Sequence, residues 1–537
     1  MGRRAASEAI AELAFALELL GDKAPFSLDA KAISGLAWAI RSAPSSSSSS
    51  MIHLPGMSPV VLGVIDDALA DRPSPTLQDL RRTLPEGLFA LRRIKGLGPK
   101  KVSALWRELG IESPGELEYA CRENRLTTLD GFGEKTQTAI LEQLQVIAAE
   151  AGLMRRDAAE AIAAPVLKAL RAQGARAELA GGWRRGQELV DEVVVVSTQE
   201  AKHEASQPLP QRLRLVVSDP STFGAALIRA TGSDAHVSAL VDRAAAAGLQ
   251  FDDIKSEEEA GVYAALGLVP TDPEQREGHV LMVAGSPRPT LITVAAIKGA
   301  LHNHTTASDG ADDLPTMLAA AKAFGLQWFG ISDHSVAASY AGGLDGKRLA
   351  QQRKEIGTAG GDVVCFTGIE SDILAEGQLD LADADLEPCD VVIASMHQRY
   401  GLRGSAQTAR LVRAARHPLV DIVGHPTGRL LLSRAPAEFD VSALIEACAE
   451  TGTALELNAN PARLDLAERW LREAKARGVM ISIAADAHAA SELSNLHHGV
   501  AVARRAGLEE GDVLNTMSAD ALRQWVAHRR QRAQEAS

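Results

Sequence analysis

From residue 291 onward the apolar positions come in short unbroken runs. VVCFTGIE, DVVIASMH, VDIVGH, TALELN and VMISIAADAH each close on polar side chains: Glu370, His397, His425, Asn458, and Asp486 with His488. Such runs, rich in β-branched residues, predict buried strands. Between them residues 314–324, 349–356, 441–451 and 467–477 space their apolar side chains at helical intervals and predict helices. Strand and helix alternate, which predicts a barrel of parallel strands whose carboxyl ends converge on one face.

That face is where the chemistry collects. LHNHTTASDG supplies His302, His304 and Asp309, and WFGISDHS ends on Asp333 and His334. If residues 299–301 are extended, His302 and His304 point to one side, because side chains alternate along a strand. Imidazole nitrogens suit zinc, manganese and iron, and carboxylates add hard oxygen ligands. A single His-x-His carries little weight. Its repetition as a ligand-type residue at the end of one predicted strand after another gives a nine-member candidate set: His302, His304, Asp309, His334, Glu370, His397, His425, Asp486 and His488. Asp333, beside His334, is a candidate to orient a ligand.

The N-terminal region has a different rhythm. MGRRAASEAIAELAFALELL carries Glu8, Glu12 and Glu18 through its apolar stripe and predicts an amphipathic helix, not a secretory signal. Residues 1–84 read as helical, interrupted by Pro44 and by a serine run at 45–50 that predicts a flexible loop. IKGLGPKKVSALWREL at 94–109 and LDGFGEKTQTAILEQL at 129–144 share one scheme, a glycine turn opening an amphipathic helix. This is the helix-hairpin-helix signature, in which backbone N–H groups at a helix start approach a DNA phosphate. Candidate DNA contacts are Lys95, Gly96, Gly98, Lys100 and Lys101 in one copy and Gly131, Gly133 and Lys135 in the other, with Arg92 and Arg93 nearby. Leu54-Pro-Gly-Met reads as a further, degenerate copy lacking the second glycine and the lysines. Residues 155–290 read as mixed α/β.

At 537 residues the chain exceeds what one core serves, and the pattern divides it at 1–84, 85–153, 154–290 and 291–537. No apolar run is long enough to span a bilayer, so the expectation is a cytoplasmic monomer without membrane contact. The four cysteines lack a CxxC pair and fit reduced thiols. A net charge of −13 runs against a wholly basic DNA-binding surface and confines any such surface to a local strip.

HNHTTASDG, ISDHS followed by YAGGLD, GIESDI, SMH, GHPTGR, LNANPARLDL and DAH resemble, in order, the metal-binding motifs of the PHP (polymerase and histidinol phosphatase) domain, from about residue 291 to the C-terminus. The resemblance implies a distorted (β/α)7 barrel with up to three divalent ions, zinc, manganese or iron, manganese being expected for activity. By it, His302, His304, Glu370 and Asp486 would hold one ion, Glu370, His397 and His425 a second, and Asp309, His334 and His488 a third. With hairpins before it, the order resembles a bacterial family-X DNA polymerase, and residues 154–290 its palm. That family's palm carries GDxD after Arg-Arg-Gly and a third aspartate on a later strand. Here Arg184-Arg185-Gly186 is followed by Glu192 and Val194 at those positions, and the third falls on Arg214. A valine and an arginine cannot hold paired magnesium ions, so polymerase activity is expected to be lost. No lysine occurs between Lys31 and Lys95, so the family's Schiff-base lysine has no counterpart either.

The expected activity is metal-assisted phosphoester hydrolysis on DNA, as 3′–5′ exonuclease or as abasic-site and 3′-end processing in repair, with gapped or 3′-ended DNA as partner. Arg429 is either a fork for the substrate phosphate or half of a structural ion pair. Two other readings stay open: a small-molecule phosphatase of the histidinol-phosphate type, and an active family-X polymerase.

Overall fold

The computed structural model describes residues 2–26, 28–42, 57–70, 72–92, 94–149, 152–200, 210–283, 285–359, 361–398 and 401–536. The serine tract, Arg93 and residues 54–56 of the degenerate hairpin copy lie outside them. The chain forms two compact units, residues 1–147 and 148–537.

The first unit is helical, running from Gly2–Leu20 through Pro99–Leu109 and Pro114–Arg122 to Glu134–Ala149. Local signals set the boundaries. Ser58 and Ser113 accept hydrogen bonds from Val61 N and Glu116 N at the starts of Pro59–Leu69 and Pro114–Arg122, each with proline in the first turn. Gly110, with φ 67°, ends Pro99–Leu109 in the left-handed conformation. Ile10, Leu13 and Ile33 pack in the same core as Val102, Leu105, Phe132 and Ile140, so segments 1–84 and 85–147 share one hydrophobic interior.

The second unit opens with β1 (Met154–Arg155) and the helix Arg156–Ala172. There follow β2 (Ala177–Leu179), β3 (Leu189–Val190), β4 (Val193–Ser197) and β5 (Leu213–Val217). β1 pairs with β3, while β2, β4 and β5 form a small mixed sheet with β4 in the middle. The valines of β4 explain its place: Val193 and Val195 pack toward Arg156–Ala172, and Val194 and Val196 toward Phe223 and Leu227.

The barrel consists of β6 (Gly299–Ala300), β7 (Trp328–Ile331), β8 (Val364–Asp372), β9 (Val391–Ser395), β10 (Ile422–Val423), β11 (Ala454–Asn458) and β12 (Ile481–Ala484). All seven are parallel and lie in chain order. Asn303 bridges Ala487 and His304 N donates to Ala487 O at 2.9 Å, bringing the two edges together into a nearly closed barrel. Gly299 is required where it stands, because a Cβ there would lie 1.9 Å from the Trp328 ring. Period-two alternation sorts the strand residues. Trp328, Phe366, Val391, Ile393, Ile422 and Ala454 share a core with Leu514, Leu522 and Val526, the last two from the C-terminal helix Ala519–Ala536. Continuing in step with Phe366 and Ala454 toward the carboxyl ends, β8 presents Glu370 and β11 presents Glu456, so the interior turns from apolar to ionisable.

Candidate metal centre

All nine candidate side chains meet at the carboxyl ends of the barrel strands, each nearly or fully buried. Glu370 is the hub. Its Oε1 lies 3.2 Å from His302 Nε2, 3.3 Å from His397 Nε2 and 3.0 Å from His425 Nε2, and its Oε2 lies 2.8 Å from His334 Nδ1. Asp486 Oδ1 is 3.2 Å from His304 Nε2 and 3.6 Å from His302 Nε2. Asp309 faces His334 Nε2 at 3.5 Å and His488 Nε2 at 3.4 Å. Four sets of ligand atoms result: His302 with His304 and Asp486; His302 with Glu370 and His425; His334 with Glu370 and His397; and His304 with Asp309, His334 and His488. Two of the nine adopt the left-handed backbone conformation, His425 at φ 22° and Asp486 at φ 50°, strain of the kind that functional sites carry.

The electrostatics favour cations. Burial alone would raise the Glu370 carboxyl, but the imidazoles of His397, His302 and His334 hold it well below the ordinary carboxylate range. Burial likewise works against Asp486, and His302 and His304 hold it low. His304 is pushed down to about 3 by burial and by His488 and His334, so it is a neutral imidazole. Its Nδ1, His334 Nε2 and His425 Nδ1 make no hydrogen bond among the described residues. Buried imidazoles with open nitrogens beside carboxylates held low are a donor set that divalent ions satisfy, and the residues fit such a group.

Around these nine stand Glu456, Asp372 and Arg463, which the motif pattern did not single out, and Asp333, which it did. Glu456 Oε2 takes His302 Nδ1 at 2.7 Å, and its Oε1 accepts from His425 N at 3.1 Å and Asn458 Nδ2 at 2.9 Å, fixing the His302 ring. Asp372 lies 3.4 Å from His397 Nδ1. Arg463, buried, brings Nε to 3.7 Å from Asp486 Oδ2. Asp333 accepts from Thr305 N at 2.8 Å, Thr305 Oγ1 at 2.7 Å and Gln352 Nε2, so it fastens the loop leading to Asp309.

The PHP domain model matches residues 300–485, and a model described as a SAM-like helix-hairpin-helix tandem matches residues 89–145. A Bacillus subtilis protein named DNA polymerase/3′-5′ exonuclease PolX is 33% identical over 94% of this chain and 96% of its own length. The chain belongs to the bacterial PolX family. Proteins named probable phosphatases match over part of the chain: one from Thermoanaerobacter sp. is 30% identical over 29% of this chain and 64% of its own length. Another, from Edwardsiella ictaluri, is 30% identical over 40% and 88%.

Of the three positions read from the sequence as the palm's, Glu192, Val194 and Arg214, only Glu192 carries a carboxylate. Val194 is 1% exposed in the core, in register with Arg214 on β5. Arg214 forks onto Glu192, Nη2 to Oε1 at 2.7 Å and Nε to Oε2 at 3.0 Å. The Arg-Arg-Gly arginines are also engaged, Arg184 with Glu259 at 2.6 Å and Arg185 with Glu277 at 2.9 Å. In the hairpins, Gly96 and Gly131 take matching left-handed angles of 92° and 80°. Lys95, Lys100 and Lys135 are exposed, as are Gly98 and Gly133 at the helix starts. Lys101 lies 5.0 Å over the Phe132 ring, tying one hairpin to the other.

Arg429 has a different setting from the cluster. Nε donates to Arg463 O at 3.0 Å, and Nη2 donates to Leu464 O and pairs with Glu188 Oε1 at 2.7 Å. A second His/Glu group, Glu160 with His497 and His498, joins the palm helix to the barrel helix Leu496–Arg505. Arg156 Nε donates to His498 Nδ1 at 3.3 Å, and that cation beside the group makes it a joint and not an ion site. Among the described residues no helix is long and apolar enough to cross a membrane.

Proposed function

We propose that this chain is a metal-dependent phosphodiesterase acting on DNA, as a 3′–5′ exonuclease or 3′-end and abasic-site processing enzyme in repair, and that its palm no longer supports nucleotidyl transfer. The observation that carries the reading is the buried set of six histidines and three carboxylates at the barrel mouth. The name of the Bacillus subtilis relative pairs polymerase with 3′-5′ exonuclease, and the exonuclease half is the one this site chemistry supports.

In this reading His302, His304, Glu370 and Asp486 hold one divalent ion, Glu370, His397 and His425 a second, and Asp309, His334 and His488 a third, with His304 close enough to serve the third as well. Ions bound there, manganese, zinc or iron, would supply Lewis-acid polarisation of a phosphoryl oxygen and an acidified water. Glu456 keeps the His302 ring oriented, and Asp333 holds the Asp309 loop against β7. Arg463 offers a fixed guanidinium beside the cluster for an anionic phosphoryl oxygen. The helix-hairpin-helix tandem supplies backbone N–H groups and lysines for the DNA backbone. In the palm, the Glu192–Arg214 fork and buried Val194 stand where two-ion catalysis needs carboxylates, which argues against the active-polymerase reading.

The test is release of nucleotides from a 3′-ended duplex by the purified chain with manganese, alongside Glu370→Gln. The variant should be inactive; full nuclease activity in it would remove the cluster from the mechanism. The probable-phosphatase relatives favour one rival, a small-molecule phosphatase. DNA that fails to compete with hydrolysis of a chromogenic phosphate ester would favour that rival.

A further inference from the structure

The palm loop that includes Arg184-Arg185-Gly186 is docked on the barrel. Gly186, at φ 74°, lies so close to the helix Leu496–Arg505 that a Cβ would stand 2.7 Å from Ala501 O. Arg156 Nη1 donates to Trp183 O at 2.7 Å and Gln187 O at 3.2 Å while its Nε reaches His498, and Arg505 Nη1 donates to Arg185 O at 3.2 Å. The loop ends on Glu188, whose carboxylate reaches Arg429 in the segment that follows His425.

Arg429 in turn holds a turn that leads to the cluster. It donates to the carbonyls of Arg463 and Leu464, and Thr427 beside it donates N and Oγ1 to Asp465 at 3.0 and 2.9 Å. Leu464 sits at φ 42°, a left-handed conformation that a branched residue adopts only under constraint, so the turn needs external bonds to keep its shape. From that turn Arg463 reaches Asp486. Arg429 is only 12% exposed, and Glu188 is the one carboxylate within 4.0 Å of it among the described residues. Without that charge the guanidinium would be buried against neutral carbonyls alone, a setting it leaves for water.

We propose that Glu188 is a positioning residue for hydrolysis: through Arg429 it fixes the 463–464 turn and with it the Arg463 guanidinium beside the cluster, which makes the palm a working part of the phosphoesterase site. The inference rests on the phosphodiesterase reading above and adds a role for a domain that the reading otherwise leaves idle.

The experiment compares wild type, Glu188→Gln, Glu188→Asp, Arg463→Ala and the Glu188→Gln/Arg463→Ala double variant, all as the full chain. With a chromogenic phosphodiester and manganese, Glu188→Gln should lower kcat/KM by between about 5- and 100-fold. Inhibition by inorganic phosphate should weaken in parallel, metal content should stay unchanged, and Glu188→Asp should recover most of the loss. In the Arg463→Ala background the Glu188→Gln change should have little further effect, because both act through one guanidinium. Hydrogen exchange on metal-free protein should show faster exchange at residues 460–466 in Glu188→Gln and not in Glu188→Asp. Unchanged exchange there, loss of metal in Glu188→Gln, or an effect that adds in full to Arg463→Ala would overturn the proposal. A wild type that hydrolyses no phosphodiester sinks the underlying reading, whereas hydrolysis indifferent to Glu188→Gln sinks this inference alone.

Discussion

Replacing Glu456 by glutamine isolates the support of one histidine without touching any of the nine candidate ligands. Glu456 is fully buried, with one oxygen on His302 Nδ1 at 2.7 Å and the other on His425 N and Asn458 Nδ2 at 3.1 and 2.9 Å. Glutamine keeps the volume, so the core should not collapse, but it has one acceptor oxygen where three donors converge. If the amide oxygen stays with His425 N and Asn458, its NH2 faces His302 Nδ1 and reverses the bond that fixes the ring. Supporting carboxylates of this kind are worth about 10–100-fold in metal affinity, or about 1.4–2.7 kcal/mol. Chelator competition with manganese, followed by metal analysis, should show a loss of that size at the site served by His302, with phosphodiester turnover falling in step. Wild-type affinity and turnover in Glu456→Gln would mean that His302 needs no such support, and the assignment of that carboxylate would fail.

Other outcomes follow from the same geometry. Replacing both His302 and His304 with alanine should abolish manganese-dependent DNA hydrolysis, since one ion loses two of its four ligands; retained activity in a nuclease assay would show the cluster to be bystander. Changing Lys95, Lys100 and Lys101 to glutamate should weaken DNA binding and flatten the slope of affinity against salt, measured by fluorescence titration. Glu259, although burial works to raise it, is held at about 2 by Arg276 and Arg184 against an ordinary value of 4.5. It should contribute about 3 kcal/mol that is fully present above pH 4.5 and lost as pH falls through 2. Glu259→Gln should remove that acid limb from a pH series of unfolding curves. Primer extension with all four nucleotides, run in the Glu370→Gln background so that degradation cannot mask synthesis, should yield no product; template-dependent extension would mean that other carboxylates serve the palm.

The barrel was legible because its signals are local. Predicted helices 314–324 and 441–451 coincide with Leu314–Phe324 and Val441–Thr451, and predicted 349–356 extends to Gly346–Thr358 around a cap at Asp345. The candidate ligands were legible for a related reason: in parallel strands the last inward residue of each run must face the same mouth. Glu456 and Arg463 were not, because nothing in TALELN or NANPARLD distinguishes an inward carboxylate or arginine from a solvated one until the strand phase is known. The core shared across residue 84 was not legible. Composition changes there, but Ile10 and Phe132 belong to one core.

Arg429 shows the limit most clearly. In GHPTGR it has the chemistry of a phosphate fork, and the residue that takes its charge lies 241 positions away in another segment. A pair at that separation leaves no trace in spacing or periodicity. The segment read as a palm gives the complementary case, where the expectation of lost carboxylates rests on Glu192, Val194 and Arg214 and the structure shows what those side chains touch. Val194 packs in the core between Gly181 and Phe223, which suits the central strand of a small sheet. Glu192 and Arg214, 42% and 51% exposed, make an ion pair that contributes little to stability. Stability therefore gives little reason to keep that pair, whereas it does favour the buried valines and the docked loop ending at Glu188. A palm relieved of nucleotidyl transfer would be free to change at its surface ion pair and constrained at its joint with the barrel, and that contrast is what a role in supporting the phosphoesterase site requires.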